Sequence, residues 1–253
     1  MSAAAPGSAG RALAPGDVLR VRLRRHERGV TGELQEFMVP YQKHMRVLDA
    51  LDWIAENALP DLAYRWHCGS KMCGTCAVRV NGREVLACWD AAEADMLIEP
   101  LRNAPVLRDF VVDRTPFERK LASFEPWLER ATPYPGFPEP LSHKDMKNVS
   151  KALDCIACLA CDSACPAIEQ RDSVGFPGPA TLVQLAQTAL DPRNDPNKVA
   201  RALSKAAILD CVSCYQCEEV CPAHIPIVGA VIEPLNAKAA ALVAKDARPS
   251  SPG

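Results

Sequence analysis

Hydrophobic and polar residues alternate at several points in the first half of the chain, which is the pattern of half-buried β-strands. In the segment Val18–Arg25, leucine and valine alternate with arginine, so one face would enter a core and the other would meet solvent. Further strands are expected over Leu34–Val39 and Met96–Leu101, with an extended stretch at Leu62–Trp66. Asn81-Gly82 predicts the tight turn of a hairpin. These patterns indicate a small β-sheet.

Elsewhere, apolar residues recur at helical spacing. An amphipathic helix is marked by apolar residues between Val47 and Ala58, and it ends before Pro60. A second helix is expected around residues 107–114. In the second half, the same periodicity predicts helices over 147–153, 179–190 and 198–209, and a last one that follows Pro222 toward Ala244. The second half is therefore expected to be helical.

Two stretches rich in small residues and proline divide the chain. Residues 1–16 predict a disordered tail. The stretch Thr132–Pro140 contains four prolines in nine residues and predicts a linker. These boundaries leave a domain that mixes strands and helices at 17–131 and a helical domain at 141–253.

Composition narrows the class of protein. A length of 253 residues suits two modest domains, and a formal net charge of −2 gives no electrostatic reason to expect nucleic acid as a partner. No apolar run is long enough to span a bilayer, and no signal peptide is recognisable. The twelve cysteines fall into three groups with none left over. This grouping favours reduced thiols in the cytoplasm over six disulfides.

The cysteines of the second half form one pattern that occurs twice. The pattern is C-x2-C-x2-C-x3-C-P, at Cys155–Pro166 and again at Cys211–Pro222. It is the iron–sulfur motif of bacterial ferredoxins, in which the fourth cysteine of each run ligates the other cluster. The following proline suits the first turn of a helix. Zinc is the alternative, but four-cysteine zinc sites use two C-x2-C pairs rather than three cysteines followed by C-P.

The first group of cysteines has a different spacing, C-x4-C-x2-C followed by a fourth cysteine beyond the hairpin. Its members are Cys68, Cys73, Cys76 and Cys88. This is the signature of plant-type [2Fe–2S] proteins. Gly69 and Gly74 fit the role, because a loop around a cluster must curl closely and point N–H groups at sulfur. His67 has no partner at the spacing of a Rieske centre, in which two histidines replace two cysteines.

With three cysteine sets in this order, the chain resembles the iron–sulfur subunit of succinate dehydrogenases and fumarate reductases. The segments 98–113 and 176–180 also look like parts of that family, and the likeness extends from about residue 17 to about residue 235. The expected fold class is α+β. An N-terminal plant-type ferredoxin (β-grasp) domain would be followed by an all-α domain similar to two-cluster bacterial ferredoxins.

The resemblance assigns each cysteine to one of three clusters. It implies that the [2Fe–2S] centre is held by Cys68, Cys73, Cys76 and Cys88, and the [4Fe–4S] centre by Cys155, Cys158, Cys161 and Cys221. The third centre, usually [3Fe–4S] in the family, would be held by Cys165, Cys211 and Cys217. This chain departs from most family members at Cys214, which supplies a fourth ligand and favours [4Fe–4S] over [3Fe–4S].

The resemblance also implies a role and partners. A separate FAD-containing flavoprotein subunit would interconvert succinate and fumarate, since this chain has no Gly-rich dinucleotide fingerprint. Electrons would then pass singly through the three clusters to a quinone or another acceptor. Membrane anchor subunits would hold the complex on the inner face of the cytoplasmic membrane. No residue of this chain is expected to act as a catalytic acid or base.

The acceptor is the point at which this chain differs from many succinate dehydrogenases. Residues 167–170 and Val212 stand where those proteins have the tryptophans and the histidine that help form the quinone pocket. A carrier that serves a thiol/disulfide couple is therefore the first alternative. A zinc-stabilised interaction module without redox function is the second.

Overall fold

The computed structural model describes residues 13–28, 30–169, 176–205 and 210–246. Three parts of the sequence predictions lie outside the described residues. They are residues 1–12 of the expected tail, the last four residues of the helix expected over 198–209, and the C-terminal residues 247–253.

The first half of the chain contains one mixed sheet. Its strands are β1 Val18–Glu27, β2 Val30–Pro40, β3 Ala77–Val80, β4 Arg83–Leu86, β5 Asp95–Glu99, β6 Val106–Arg108 and β7 Val111–Val112. They lie in the order β4-β3-β5-β1-β6-β7, and β2 also pairs with β1. Strand β1 is parallel to β5 and antiparallel to β2 and β6, so it lies at the centre of the sheet.

The alternation in β1 has the predicted consequence. Its leucine and valine side chains at positions 19, 21 and 23 are fully buried. On the opposite face, Arg20 and Arg22 pair with Asp95, and Arg24 pairs with Glu99, both on the parallel neighbour β5. The arginines of this face are therefore ion-paired across neighbouring strands, as expected of a solvated sheet surface.

The hairpin and the first helix are also confirmed. Strands β3 and β4 are joined by Asn81 and Gly82, whose φ angles of 50° and 83° are those of a type I′ turn. Helix α1, Val47–Asn57, buries its apolar stripe in the core of the first half. Its first turn is fixed by Asp49, which accepts a hydrogen bond of 2.6 Å from the backbone N–H of Arg46.

The helix predicted around residues 107–114 is wrong. This segment forms β6 and β7, and the turn between them holds Asp109 at a φ of 44°. The Asp109 carboxylate accepts hydrogen bonds from Arg25 and from the N–H of Ala63. These long-range bonds hold an irregular turn that the local spacing of apolar residues does not show. Helix α2 begins only at Thr115 and ends at Ser123.

The second half is helical, as predicted. Its helices are α3 His143–Leu153, α4 Ala160–Ala164, α5 Pro166–Glu169, α6 Pro179–Ala189, α7 Pro196–Lys205, α8 Gln216–Glu219 and α9 Glu233–Asp246. A π-helical segment, Ile227–Ile232, leads into α9. Helix α6 is central and packs against α2, α3, α4 and the π-helical segment. In the described parts of the chain, no helix is both long enough and apolar enough to cross a membrane.

Two helix starts differ from the prediction. Helix α3 begins before the expected Lys147, because Ser142 caps it by accepting a hydrogen bond of 3.1 Å from the N–H of Asp145. Pro166 opens α5 as expected, but Pro222 is followed by a turn, and helical structure resumes only at Ile227. Pro226 explains the delay, since a proline disfavours helical geometry in the residue before it.

The proline-rich stretch 132–140 is irregular but not detached. Glu139 pairs with Arg130 before the stretch and with Arg193 in the helical half. Helix α2, which the sequence places in the first domain, also packs against α6. The two halves therefore share contacts on both sides of this stretch, and the domain boundaries remain predictions.

Candidate metal centres

The loop with the first cysteines is organised around the sulfur of Cys68. The backbone N–H groups of Ser70, Met72 and Cys73 point at Cys68 Sγ with N–S distances of 3.4, 3.3 and 3.4 Å. These donors lower the pKa of Cys68 to about 6, so the thiolate prevails at neutral pH. Gly69 has a φ of 64°, which lets the backbone turn around the sulfur. The loop thus presents an anionic ligand.

The other thiols of this group lie beside the hairpin. Cys76 directly precedes β3 and Cys88 follows β4, and both are buried. Their side chains are hydrogen-bonding neighbours, and Cys73 lies close enough to Cys76 to affect its charge. Burial raises the pKa of Cys76 to about 12, so this thiol would lose its proton at neutral pH only to a bound metal. The structure therefore brings the four sequence-predicted cysteines to one end of the hairpin.

The second centre is a cavity lined by thiols from both cysteine runs. Three of them belong to the first run and one to the second: Cys155, Cys158, Cys161 and Cys221. Apolar residues such as Val183, Ile225 and Ile227 complete the wall. Burial raises the pKa of Cys158 to about 11 and that of Cys161 well above its ordinary value. A site with such apolar walls favours a ligand whose positive charge compensates the negative charge of the thiolates.

The third centre is a cavity lined by one thiol of the first run and three thiols of the second. Its thiols are Cys165 of the first run and Cys211, Cys214 and Cys217 of the second. Phe176, Val228 and Ile232 are among the apolar residues around them. Burial raises the pKa of Cys217 to about 12, whereas Cys214 is exposed. The structure therefore places Cys214 with the other three thiols, at the edge of the site that opens to solvent.

The two runs repeat a strained backbone conformation as well as a spacing. Ala157 and Leu159 in the first run have φ angles of 50° and 66°, and Ser213 and Tyr215 in the second have 50° and 62°. Left-handed geometry costs about 1–3 kcal/mol for a residue with a Cβ and is found where surrounding structure imposes it, often at functional sites. Here it folds each loop around its cavity. Sequence reasoning missed these positions, because none of them is glycine.

The donor sets fit iron–sulfur clusters. All twelve cysteines are free thiols. Among the described residues, no three or more His, Cys, Asp or Glu side chains are close enough to share a single metal ion. The thiols of the second half stand instead around two cavities with largely apolar walls. Four thiolates around one space are the ligands that such a cluster requires.

A set of hydrogen bonds joins the two halves next to these centres. The Asn103 side-chain amide donates to the carbonyls of Asp162, Ser163 and Cys165, with distances of 2.8, 3.4 and 3.1 Å. Ser163 Oγ donates to Glu84 on β4 at 2.8 Å and accepts from the N–H of Arg102 at 2.9 Å. Sequence reasoning did not identify these residues. Their only signal was that Arg102 and Asn103 lie in the family-like segment 98–113.

Comparisons with known proteins match this geometry. A sequence profile of a 2Fe-2S iron-sulfur cluster binding domain matches residues 18–119, and one of a 4Fe-4S dicluster domain matches residues 151–225. The fumarate reductase iron-sulfur subunit of Haemophilus influenzae is 31% identical over 238 residues, which cover 87% of this chain and 92% of that protein. The chain belongs to the fumarate reductase and succinate dehydrogenase family of iron–sulfur subunits.

Three further relatives are longer than this chain. A subunit of the fumarate reductase (CoM/CoB) of Methanothermobacter marburgensis is 33% identical over 224 residues, which cover 88% of this chain and 44% of that protein. The chain spans only 41% to 44% of the length of three relatives, including that one. A chain of the Mycobacterium smegmatis Sdh1 complex has a similar fold, with a TM-score of 0.78 at 24% identity, over 89% of this chain and 97% of that one. The predicted family and the presence of [2Fe–2S] and [4Fe–4S] binding domains are thus confirmed, and the type of the third cluster stays a prediction.

Proposed function

We propose that this chain is the electron-transfer subunit of a succinate dehydrogenase or fumarate reductase complex. Iron–sulfur clusters, when bound, carry electrons one at a time between a flavin and a further acceptor. The chain's own residues bind the clusters, exclude water from them and fix their positions. The observation that carries the proposal is the reciprocal placement of the fourth cysteines, with Cys221 beside the first run and Cys165 beside the second.

Each cysteine receives a role under this proposal. The ligands of the [2Fe–2S] centre are Cys68, Cys73, Cys76 and Cys88, those of the [4Fe–4S] centre are Cys155, Cys158, Cys161 and Cys221, and those of the third centre are Cys165, Cys211, Cys214 and Cys217. The hydrogen bonds at Cys68 and the two thiol-lined cavities support this assignment. Each backbone donor near a ligand sulfur also stabilises negative charge there, which tunes the redox potential.

The proposal also includes a specific fold for each half of the chain. The first half would be a plant-type ferredoxin domain of the β-grasp kind over 17–131, joined by the linker 132–140 to a two-cluster ferredoxin-like domain over 141–253. Helix α1 against a mixed sheet supports the first part. The second part is supported by two cavities whose described lining residues all belong to the second half.

The partners would be an FAD-containing flavoprotein subunit and membrane anchor subunits, with the complex on the inner face of the cytoplasmic membrane. The names of the relatives, which are subunits of larger enzymes, support this view. Three large apolar side chains near the first cysteine loop are exposed and could be covered by the flavoprotein. They are Trp66, Met72 and Trp89.

The test is reduction by succinate in the presence of the flavoprotein subunit that we propose as the partner of this chain. We expect succinate to bleach the visible absorption of the clusters only when that subunit is present. The variant Cys73→Ser should slow the bleaching and leave succinate oxidation with an artificial dye at the flavin unchanged. Equal bleaching without the flavoprotein, or none with it, would contradict the proposal.

A second candidate function differs only in the acceptor. Residues 167–170 and Val212 lack the quinone-pocket side chains of many succinate dehydrogenases, and one relative is named for CoM and CoB. A thiol/disulfide couple is therefore a candidate acceptor or donor. Reoxidation of the reduced complex by a soluble quinone favours a quinone as the acceptor, whereas reoxidation by a disulfide favours a thiol/disulfide couple.

A prediction concerns Cys214. Since its thiol stands with three other ligands, the third centre should be [4Fe–4S], and the whole chain should bind about ten iron atoms. Cys214→Val should lower this to about nine, because a cubane that lacks one thiolate loses the iron at that corner. Anaerobic iron analysis and low-temperature EPR measure both quantities. A three-iron signal at full occupancy in the oxidised wild type, unchanged by the substitution, would contradict the role of Cys214 as a ligand. Stoichiometric zinc with little iron would contradict the assignment of all three iron–sulfur clusters.

A further inference from the structure

The first cysteine loop touches the loop of the first ferredoxin-like run at Gly74. Gly74 lies between Cys73 and Cys76, is buried and has a φ of 69°. A Cβ at this position would lie 2.6 Å from the carbonyl oxygen of Ile156 and 2.9 Å from the Cβ of Cys158. Both distances are shorter than a van der Waals contact of about 3.5 Å. The backbones of two ligand-bearing loops are therefore in direct contact, and only glycine permits it.

The hydrogen bonds of Asn103 and Ser163 hold the same interface closed. They attach α4, which carries Cys161, to the loop after β5 and to Glu84 on β4. Glu84 is almost fully buried and also pairs with Arg79 on β3. Strands β3 and β4 form the hairpin that positions Cys76 and Cys88. Both contacts thus connect ligand-bearing elements of the first two centres.

We propose that Gly74 is a positioning residue that sets the separation of the first two redox centres. The inference rests on the proposed function, since it concerns the groups that the two loops hold. An alanine at position 74 would force the loops apart by roughly 1 Å, because a backbone carbonyl cannot rotate out of its way as a flexible side chain could. Electron transfer between two redox groups slows steeply as their separation grows.

The chain provides a matched control in Gly69. Gly69 lies in the same loop and has nearly the same φ, 64°, but a Cβ there would meet nothing within 4 Å. Gly69→Ala and Gly74→Ala therefore share the cost of left-handed geometry, and only Gly74→Ala creates the collision. Any difference between the two variants reports on the contact with Ile156 and Cys158.

The experiment is EPR power saturation of the reduced [2Fe–2S] signal in the full chain with its clusters assembled. A reduced, paramagnetic cluster on the first run speeds the spin relaxation of this signal, and the effect falls with distance. We expect Gly74→Ala to saturate at lower microwave power than both the wild type and Gly69→Ala, which carries the left-handed strain without the collision, when the three proteins are compared at equal iron content. Equal behaviour of the two variants would overturn the proposal.

If Gly74→Ala fails to bind the [2Fe–2S] cluster, a second variant tests whether the contact between the two loops sets the separation of the first two centres. Asn103→Gly removes the amide that donates to three carbonyls and keeps the backbone at its φ of 59°, which glycine adopts readily. We expect the same shift to lower saturating power. Asn57→Ala is the control, because it removes only the 2.8 Å bond from Asn57 to the carbonyl of Trp53 within α1. Without a shift in Asn103→Gly, the proposal fails.

Different results would contradict the proposed function and the role of Gly74. If the wild-type chain binds no iron–sulfur clusters, the proposed function is wrong, and the role of Gly74, which rests on it, is wrong as well. If the wild type holds its clusters and shows relaxation enhancement that neither Gly74→Ala nor Asn103→Gly alters, the function stands and only the role of Gly74 is wrong.

Discussion

Replacement of Cys221 by serine should damage the centre of the first run, although Cys221 belongs to the second. Its thiol lines the cavity of Cys155, Cys158 and Cys161. Serine has nearly the same shape but is a far poorer ligand for iron than a thiolate, so at least the iron at that corner should be lost. EPR of the reduced protein should show loss of the four-iron signal assigned to this centre, while the [2Fe–2S] signal remains.

The reciprocal variant provides the control for this prediction. Cys165→Ser changes a cysteine of the first run, but its thiol stands with Cys211, Cys214 and Cys217. It should therefore damage the third centre and spare the cluster beside Cys155. If each substitution instead removes the signal of its own run, the exchange of fourth cysteines is wrong.

The second large effect is expected from Asp109→Asn. The Asp109 carboxylate is fully buried and accepts hydrogen bonds from Arg25 Nε at 2.6 Å, Arg25 Nη2 at 3.1 Å and the N–H of Ala63 at 2.9 Å. An amide would lose the buried charge that offsets Arg25, which would keep its pair with the exposed Asp61, and would turn an NH2 group toward one of these donors. Removing one member of a buried ion pair costs about 3 kcal/mol or more in stability. Asparagine tolerates the left-handed backbone of this turn, so the side-chain chemistry is the only variable.

The loss of stability in Asp109→Asn should appear first in the segment that leads to the [2Fe–2S] loop. Ala63 is bonded to Asp109 and lies a few residues before Cys68. Hydrogen–deuterium exchange of residues 61–68 should therefore speed up strongly, and the denaturant midpoint should fall. Asp95→Asn is the matched control, because Asp95 pairs with two arginines, as Asp109 does with Arg25 and Arg108, but is 42% exposed. Its loss should cost less than about 1 kcal/mol. Equal effects of the two substitutions would contradict the role of Asp109.

The parts of the structure that local sequence patterns encode were predicted well. The alternation in β1 gave the buried and the paired faces of the strand, and the helical periodicity gave α1 and α6. Cysteine spacing is local information as well. It led to the prediction that Cys165 and Cys221 each serve the cluster of the other run, because the three-residue gap before each of them turns its thiol away from its own loop. The two cavities are lined by thiols of both runs, and which thiols bind which cluster stays a prediction.

The failures concern contacts between residues that are distant in the sequence. Nothing in the local pattern of residues 107–114 shows that Asp109 will meet Arg25, so apolar spacing was taken for a helix. The same holds for Asn103 and Ser163, which form their hydrogen bonds only when the two halves of the chain come together. The left-handed residues Leu159 and Tyr215 were missed for a related reason, since their conformation is imposed by the folded loop rather than favoured by the residue.

The exchange of fourth cysteines also constrains the order in which the second half can be built in the cell. Neither cavity has its full set of thiols until Cys165 and Cys221 have crossed to the other run. The helices between the runs must therefore collapse before either cluster is complete, and each finished cluster then closes a long loop of chain. The cavity of the first run is completed last in synthesis: a chain that stops short of Cys221 leaves it with three thiols, although the other cavity already has all four of its own.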